Sequence, residues 1–573
     1  MIMKRSMLLI FSIFIIVVLI SGCGKQGETA NMEEVKKMEA EYSKFIDSLL
    51  KVVKPTYKNM SLAYFEASVS GEPADWDKSA KYEMELNSIL SNKENFAKIK
   101  KFKESGLIQD ELKARELQVT YNTLLGMQID TSKLNAMTKL QTEIAQKYNN
   151  FRAKVGKKEM TDNDVEDALK TSKDSKFLEQ VWTEQKKIGP IVAQDIIRLV
   201  KMRNDAAKEL GFKNYHEMSL RLSEQNPDDI SKLFDELDVL TKDAFKQEKQ
   251  KMDLILAVGC NIKPEDLMPW HYQNRFFQEA PKIYDVDLDT YYTNIDIAKT
   301  GQEFYQGLNL PINDMAAKSD LYEKPKKNQH AYCIDIDRDA KDIRVLCNIK
   351  PNSRWMETML HEFGHALYEK YLDNNLPWII KQPAHTFTTE AIAMMFGRLA
   401  TDPQWMQEVI KINPEEKTKI ADACFKTLRL QQLVFSRWSQ VMYRFEKSMY
   451  ENPDQDLNKL WWDLVEKYQM LKKPADRNQP DWASKIHIAT SPCYYHNYHL
   501  GELLASQLYY TIENKVLKAK DNEKISFVGK PDVGKFLVDN VFKPGSRYPW
   551  NTMIEKATGE KLTANYYAKQ FVK

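Results

Sequence analysis

Two imidazoles and a carboxylate fall within five consecutive residues, His361-Glu362-Phe363-Gly364-His365. Four positions make just over one helical turn, so on a helix His361 and His365 project side by side and can chelate one metal ion. Glu362 lies beside such an ion rather than on it, where its carboxylate can take a proton from water activated by the metal. The chemistry these residues supply is zinc-assisted hydrolysis. A catalytic zinc ion takes three protein ligands and leaves its fourth position to water. Glu390, in Thr388-Thr389-Glu390-Ala391-Ile392-Ala393-Met394, is the candidate third ligand, because acidic side chains on an apolar helix rarely persist without a metal or a charged partner. The competing reading is an exposed glutamate favoured near a helix start by the macrodipole.

The elements around these residues must hold them in place. Met356, Leu360, Phe363 and Leu367 trace an apolar face at helical spacing, which leaves the histidines on another part of the same helix. Strand signal is concentrated at residues 331–350, immediately before that helix. Two alternating stretches there, residues 333–336 and 343–347, flank the polar segment 338–342 and predict a hairpin. Cys333 and Cys347 are equidistant from Ala340, so the pattern predicts that they face each other and form a disulfide, with two free buried thiols as the alternative where the local twist does not allow the bond. Elsewhere the chain reads as helix after helix. Val35, Met38, Tyr42, Phe45 and Leu49 alternate spacings of three and four, and comparable stripes recur to the C-terminus. No fixed-period repeat or long linker interrupts them, which predicts one large helical domain over residues 32–573.

Composition narrows the class of function. The 573 residues include 83 Lys+Arg and 81 Asp+Glu, with 43% hydrophobic and 29% charged residues, which excludes a disordered or fibrous chain. Near-neutral charge argues against a phosphate-tracking surface, so no nucleic-acid partner is expected. At the N-terminus, Lys4-Arg5 precede an apolar run, residues 7–20, that is shorter than a spanning helix requires. Ile20-Ser21-Gly22-Cys23 looks like a bacterial lipobox. This predicts a signal peptide over residues 1–22, lipidation of Cys23, a tether over 23–31, and attachment to the outer face of a bacterial membrane. Removing Lys4 and Arg5 balances the remaining charges, so the attachment would rest on acyl chains rather than on a basic patch.

With Glu390 25 residues beyond His365, the motif resembles the gluzincin arrangement. More narrowly, residues 333–400 resemble the angiotensin-converting-enzyme family of peptidyl-dipeptidases, with thimet-type oligopeptidases as cousins. Further similarity appears in Glu209-Leu210-Gly211-Phe212-Lys213-Asn214-Tyr215-His216, in Pro544-Gly545-Ser546-Arg547-Tyr548-Pro549-Trp550 and in Ala557-Thr558-Gly559-Glu560-Lys561-Leu562. The resemblance implies a mainly α, large helical zincin with a deep central channel and a small antiparallel sheet next to the zinc helix. It implies a zinc metallopeptidase that releases C-terminal dipeptides from short peptides and acts as a monomer. Lys485-Ile486-His487 resembles the family's Lys-x-His element, in which the lysine holds the substrate's terminal carboxylate and the histidine hydrogen-bonds its backbone. Tyr495 and Tyr498 match the family's tyrosine pair if one extra residue follows His487. The implied roles are carboxylate binding for Tyr495 and oxyanion stabilisation for Tyr498, and a register shifted by one residue brings in Tyr494.

Several positions depart from the family pattern. Met394 stands where an acidic residue would orient a zinc histidine, so another group must take that part. Asn497 replaces an arginine tied to chloride activation, and Ile334 replaces a histidine that contacts substrate. An endo-oligopeptidase or a carboxypeptidase therefore stays open. So does a lipid-anchored peptide-binding protein with a non-catalytic zinc site, although that would need a fourth protein ligand. Asp335, Asp337 and Asp339 have the spacing of a calcium loop, but Ala340 and Leu346 break its pattern. There is no phosphate loop and no G-x-S-x-G elbow. His385 is read as a structural or rim residue.

Overall fold

The computed structural model describes residues 32–284, 286–520 and 526–572. The leader, Cys23 and the tether lie outside the described residues. No described helix is long and apolar enough to cross a membrane.

Helices dominate, with two small antiparallel hairpins among them. The longest helices are Met32–Ser70, Pro227–Cys260 and Pro414–Glu451. Asn226-Pro227 and Asn413-Pro414 show how the last two start. The asparagine side chain accepts a backbone N–H of the first turn, and proline fills a position whose own N–H would go unused. The N-terminal helix buries Val35, Tyr42, Ile46, Leu49 and Val53 along one stripe, as its periodicity predicts, and packs on the helix Pro73–Leu90. A main apolar cluster runs from Met137 to Phe571, and the N-terminal helices have a smaller cluster of their own.

The first hairpin, β1 (Ala153–Val155) and β2 (Lys158–Met160), has no counterpart in the sequence reading. The second, β3 (Tyr332–Asp337) and β4 (Asp342–Leu346), lies where the strand signal is concentrated. Its register corrects the predicted Cys333–Cys347 disulfide: Cys333 pairs with Val345, and both cysteines are free thiols. The Asp337 side chain accepts the backbone N–H of Asp339 and Ala340, which tightens the turn, and a register shift follows between Asp335 and Asp337. The ladder is thereby displaced from the symmetric pairing around Ala340. Cys347 falls beyond the end of β4, where its N–H donates to Asp320 O at 2.9 Å.

β3 runs along the helix Ser353–Lys370, which carries both motif histidines. Asn352 caps that helix by accepting the Trp355 N–H at 2.9 Å. Against it lies the helix Thr386–Gly397, which carries Glu390, and against that lies His496–Thr511. Glycine makes both contacts close. A methyl group on Gly364 would meet Ala393 Cα at 2.9 Å, and one on Gly501 would meet Glu390 Cβ at 3.2 Å. Gly364→Ala is therefore expected to push the first two helices apart at a cost of about 1–3 kcal/mol. A lowered denaturant midpoint would show it, and an unchanged midpoint would mean that the helices can separate freely.

Candidate metal centre and peptide cleft

His361 and His365 emerge four residues apart on the Ser353–Lys370 helix, their rings 4.9 Å apart and nearly perpendicular. Glu390 faces both of them across the glycine contact. Its Oε2 lies 3.6 Å from His361 Nε2 and 3.8 Å from His365 Nε2, and the three ligand atoms fall within 4.8 Å of one another. Ligands about 2.0–2.1 Å from a tetrahedral zinc sit roughly 3.3–3.5 Å apart, so Glu390 is already close to the needed separation and the histidine donors would draw together around the ion by up to about 1.5 Å.

The electrostatics of the cluster favour a dication. Burial holds His361 down to about 4 and His365 well below its usual range, so both imidazoles are neutral with lone pairs free. Burial raises Glu390 to about 7. Glu362 is pushed up to about 8, first by burial and then by Glu390, while the Cys333 backbone N–H partly offsets this. No lysine or arginine pairs with either carboxylate among the described residues. Two crowded carboxylates and two neutral imidazoles fit a divalent cation bound by two nitrogens and one oxygen.

Thr389, adjacent to Glu390, takes the orienting part that Met394 cannot. Its Oγ1 lies 2.8 Å from His365 Nδ1, and with the ring proton on Nδ1 the other nitrogen is left as the metal donor. Thr389→Val keeps the shape and removes the acceptor. It is expected to weaken zinc binding about tenfold or more, as read by competition with a chelating dye. Its signal in the sequence is its position next to a ligand on the same helix. His385 caps that helix by accepting the Phe387 N–H at 3.2 Å.

The remaining candidates form a second group next to the first. Tyr498 packs against both Tyr494 and Tyr495, with ring centres 5.2 and 5.4 Å apart. Burial and the charge of Glu390 raise the phenols of both Tyr494 and Tyr498, so both sit in the field of the metal cluster. Tyr495 turns elsewhere: its hydroxyl accepts Trp438 Nε1–H at 2.8 Å, and the His487 ring meets its ring edge-on at 5.4 Å. Lys485 Nζ is 5.3 Å from the centre of the Tyr495 ring and donates to Gln278 Oε1. Burial, reinforced by Arg275, lowers Lys485 to about 7. Lys485, His487 and Gln278 line one cavity. Gln278 is absent from the sequence reading, since nothing in its local pattern marks it. Asn497 is buried and accepts an N–H from Gln225 at 2.7 Å.

Residues 168–573 match peptidase family M3, and residues 36–245 match the angiotensin-converting enzyme family. The chain is 22% identical over 426 residues to the angiotensin-converting enzyme of Mesocricetus auratus, covering 69% of this chain and 32% of that protein. It is 24% identical over 396 residues to thermostable carboxypeptidase 1 of Pyrococcus furiosus, covering 65% of this chain and 71% of that one. The chain thus spans about a third of the length of the angiotensin-converting enzymes it matches.

Proposed function

As the chain belongs to peptidase family M3, we propose that it hydrolyses short peptides with zinc as cofactor and releases dipeptides from their C-terminal ends. The observation that carries the zinc assignment is the convergence of three donor atoms beside a second buried carboxylate, that of Glu362, which is not one of them. When bound, zinc supplies a Lewis acid for the scissile carbonyl and makes water easier to deprotonate. His361, His365 and Glu390 hold it. Glu362 accepts the proton of the attacking water on its carboxylate and passes it to the leaving amine. Tyr498 donates its phenol proton to the developing oxyanion. Its helix is clasped to that of Glu390 through Gly501, which supports Tyr498 over Tyr494 for this role. His487 hydrogen-bonds the substrate backbone.

The C-terminal register rests on Lys485. A buried ammonium on a cavity wall, with Gln278 beside it, suits a terminal carboxylate. The Tyr495 oxygen already accepts from Trp438, so its own proton is free to point at the same carboxylate. Such a clamp would also suit a carboxypeptidase, and the relative from Pyrococcus furiosus bears that name. The lipobox-like Ile20-Ser21-Gly22-Cys23 supports placing the enzyme on the outer face of a bacterial membrane, tethered through Cys23.

Mass spectrometry of a peptide series with free and amidated C-termini tests this reading. Stepwise loss of dipeptides is expected, suppressed by amidation, abolished by a chelator and restored by zinc. Single-residue loss would replace the dipeptidase by a carboxypeptidase, and internal cuts indifferent to amidation would replace it by an oligopeptidase. Cleavage that survives chelation would remove zinc. Lys485→Met should raise KM for free-acid peptides about tenfold or more while leaving amides unaffected. The ammonium is charged below its pKa, so KM for free acids should climb as the pH passes above about 7. A flat KM would remove Lys485 from the clamp.

A further inference from the structure

The cavity that holds Lys485 and His487 has a volume of about 470 Å³ and extends between the helices Thr131–Asn150, Asp162–Thr171 and Ser175–Lys186. Glu166, Gln185, Arg275 and Ser484 also line it. Of the cations that line it besides Lys485, Arg152 donates to the carbonyl oxygens of Asn149 and Phe151 at 2.7 Å. Arg275 donates to Glu166 Oε1 at 2.6 Å and meets Asp162 at 3.2 Å. Outside the lining residues are two further cations, Lys186 and Arg477, the latter gripping Asp481 through two hydrogen bonds. Lys186, 2% exposed, donates to Ser484 Oγ at 3.1 Å and lies 3.5 Å from the centre of the Phe276 ring.

Two acceptors on the same wall lack donors. Glu166 Oε2 and Gln185 Oε1 are buried with no hydrogen-bond partner among the described residues, and Gln185 is only 4% exposed. Buried acceptors without donors are costly, so a pair of them on one cavity wall marks a place where a ligand brings N–H groups. The adjoining Lys485 calls for the opposite charge. A residue with both a free carboxylate and a cationic side chain answers both demands and adds no net charge to the cavity.

We infer that this cavity receives the side chain of the substrate's C-terminal residue and selects lysine or arginine, whose N–H donors meet Glu166 Oε2 and Gln185 Oε1. The inference rests on Lys485 holding the terminal carboxylate. Lys485 fixes the carboxylate, and the side chain of the same residue then lies in the cavity that Glu166 and Gln185 also line.

The test uses the zinc-loaded full chain and blocked pentapeptides that differ only in ending with Lys, Arg, norleucine or Glu, each as free acid and as amide. Lys and Arg peptides are expected to exceed norleucine in kcat/KM by about tenfold or more. Glu166→Gln, which can still accept from Arg275, should bring the Lys to norleucine ratio to within about threefold, and Gln185→Leu should lower it independently. Folding of each variant is checked by circular dichroism. A wild-type enzyme that cleaves norleucine as well as Lys, or a ratio unchanged in both variants, overturns the inference. If free acids are required yet Lys is not preferred, the side-chain subsite alone is wrong. If amides are cleaved as fast as acids, the carboxylate clamp is wrong and the subsite falls with it.

Discussion

Glu362→Gln lowers kcat by about 10³-fold and leaves one zinc bound per chain: this is the expected result if Glu362 handles the proton and not the metal. The substitution isolates that role. Glutamine has the same shape, and its carbonyl oxygen can still accept the Cys333 N–H that the glutamate receives. What it loses is the ability to take a proton. The three donor atoms of His361, His365 and Glu390 are untouched by the change, so zinc should stay bound. Steady-state turnover on a peptide together with elemental analysis of the purified variant gives both readings. Retained turnover would move the base elsewhere, and lost zinc would make Glu362 a ligand.

His365→Ala should be more severe, because it removes a donor atom rather than a proton carrier. Thr389 loses its partner, and the cation would keep only His361 and Glu390 from this chain. Replacing an outer partner of a metal ligand weakens binding by about 10- to 100-fold, and loss of the ligand itself is expected to exceed that range. Turnover should fall to background at ordinary zinc concentrations, with chelator competition reporting the weakened affinity. A variant that holds zinc as tightly as the parent would show that the cluster is not the binding site.

Much of this arrangement could be read from the sequence because it is local. The five residues from His361 to His365 fix their own geometry once the apolar stripe of Met356, Leu360, Phe363 and Leu367 dictates a helix. Glu390 was visible as a charge in an otherwise apolar helix. The hairpin at β3 and β4 was visible through its alternation, but its register was not. Alternation is blind to a shift of two residues, and the Asp337 turn and the irregularity beyond it set the pairing that places Cys333 opposite Val345, two residues short of Cys347. Thr389 is marked locally only by standing next to Glu390, its partner being 24 residues away, and Gln278 acquires meaning only through a partner 207 residues away that no local pattern announces. The short hairpin of β1 and β2, three residues a strand, was too brief for its alternation to register.

The two glycine contacts leave no compressible layer between the three helices that carry His361, Glu390 and Tyr498. These groups therefore form a stiff floor whose parts cannot shift singly to suit different guests. The Met32–Ser70 helix meets the hairpin through Phe65, Ile336 and Leu346, through Arg338 over the Tyr57 ring and Arg344 over the Phe65 ring, and through two ion pairs, Lys54 with Asp339 and Lys58 with Asp337. Pairs of that kind hold weakly. The apolar and ring contacts therefore carry that junction, and raised salt, which screens exposed pairs, should leave the helix seated on the hairpin.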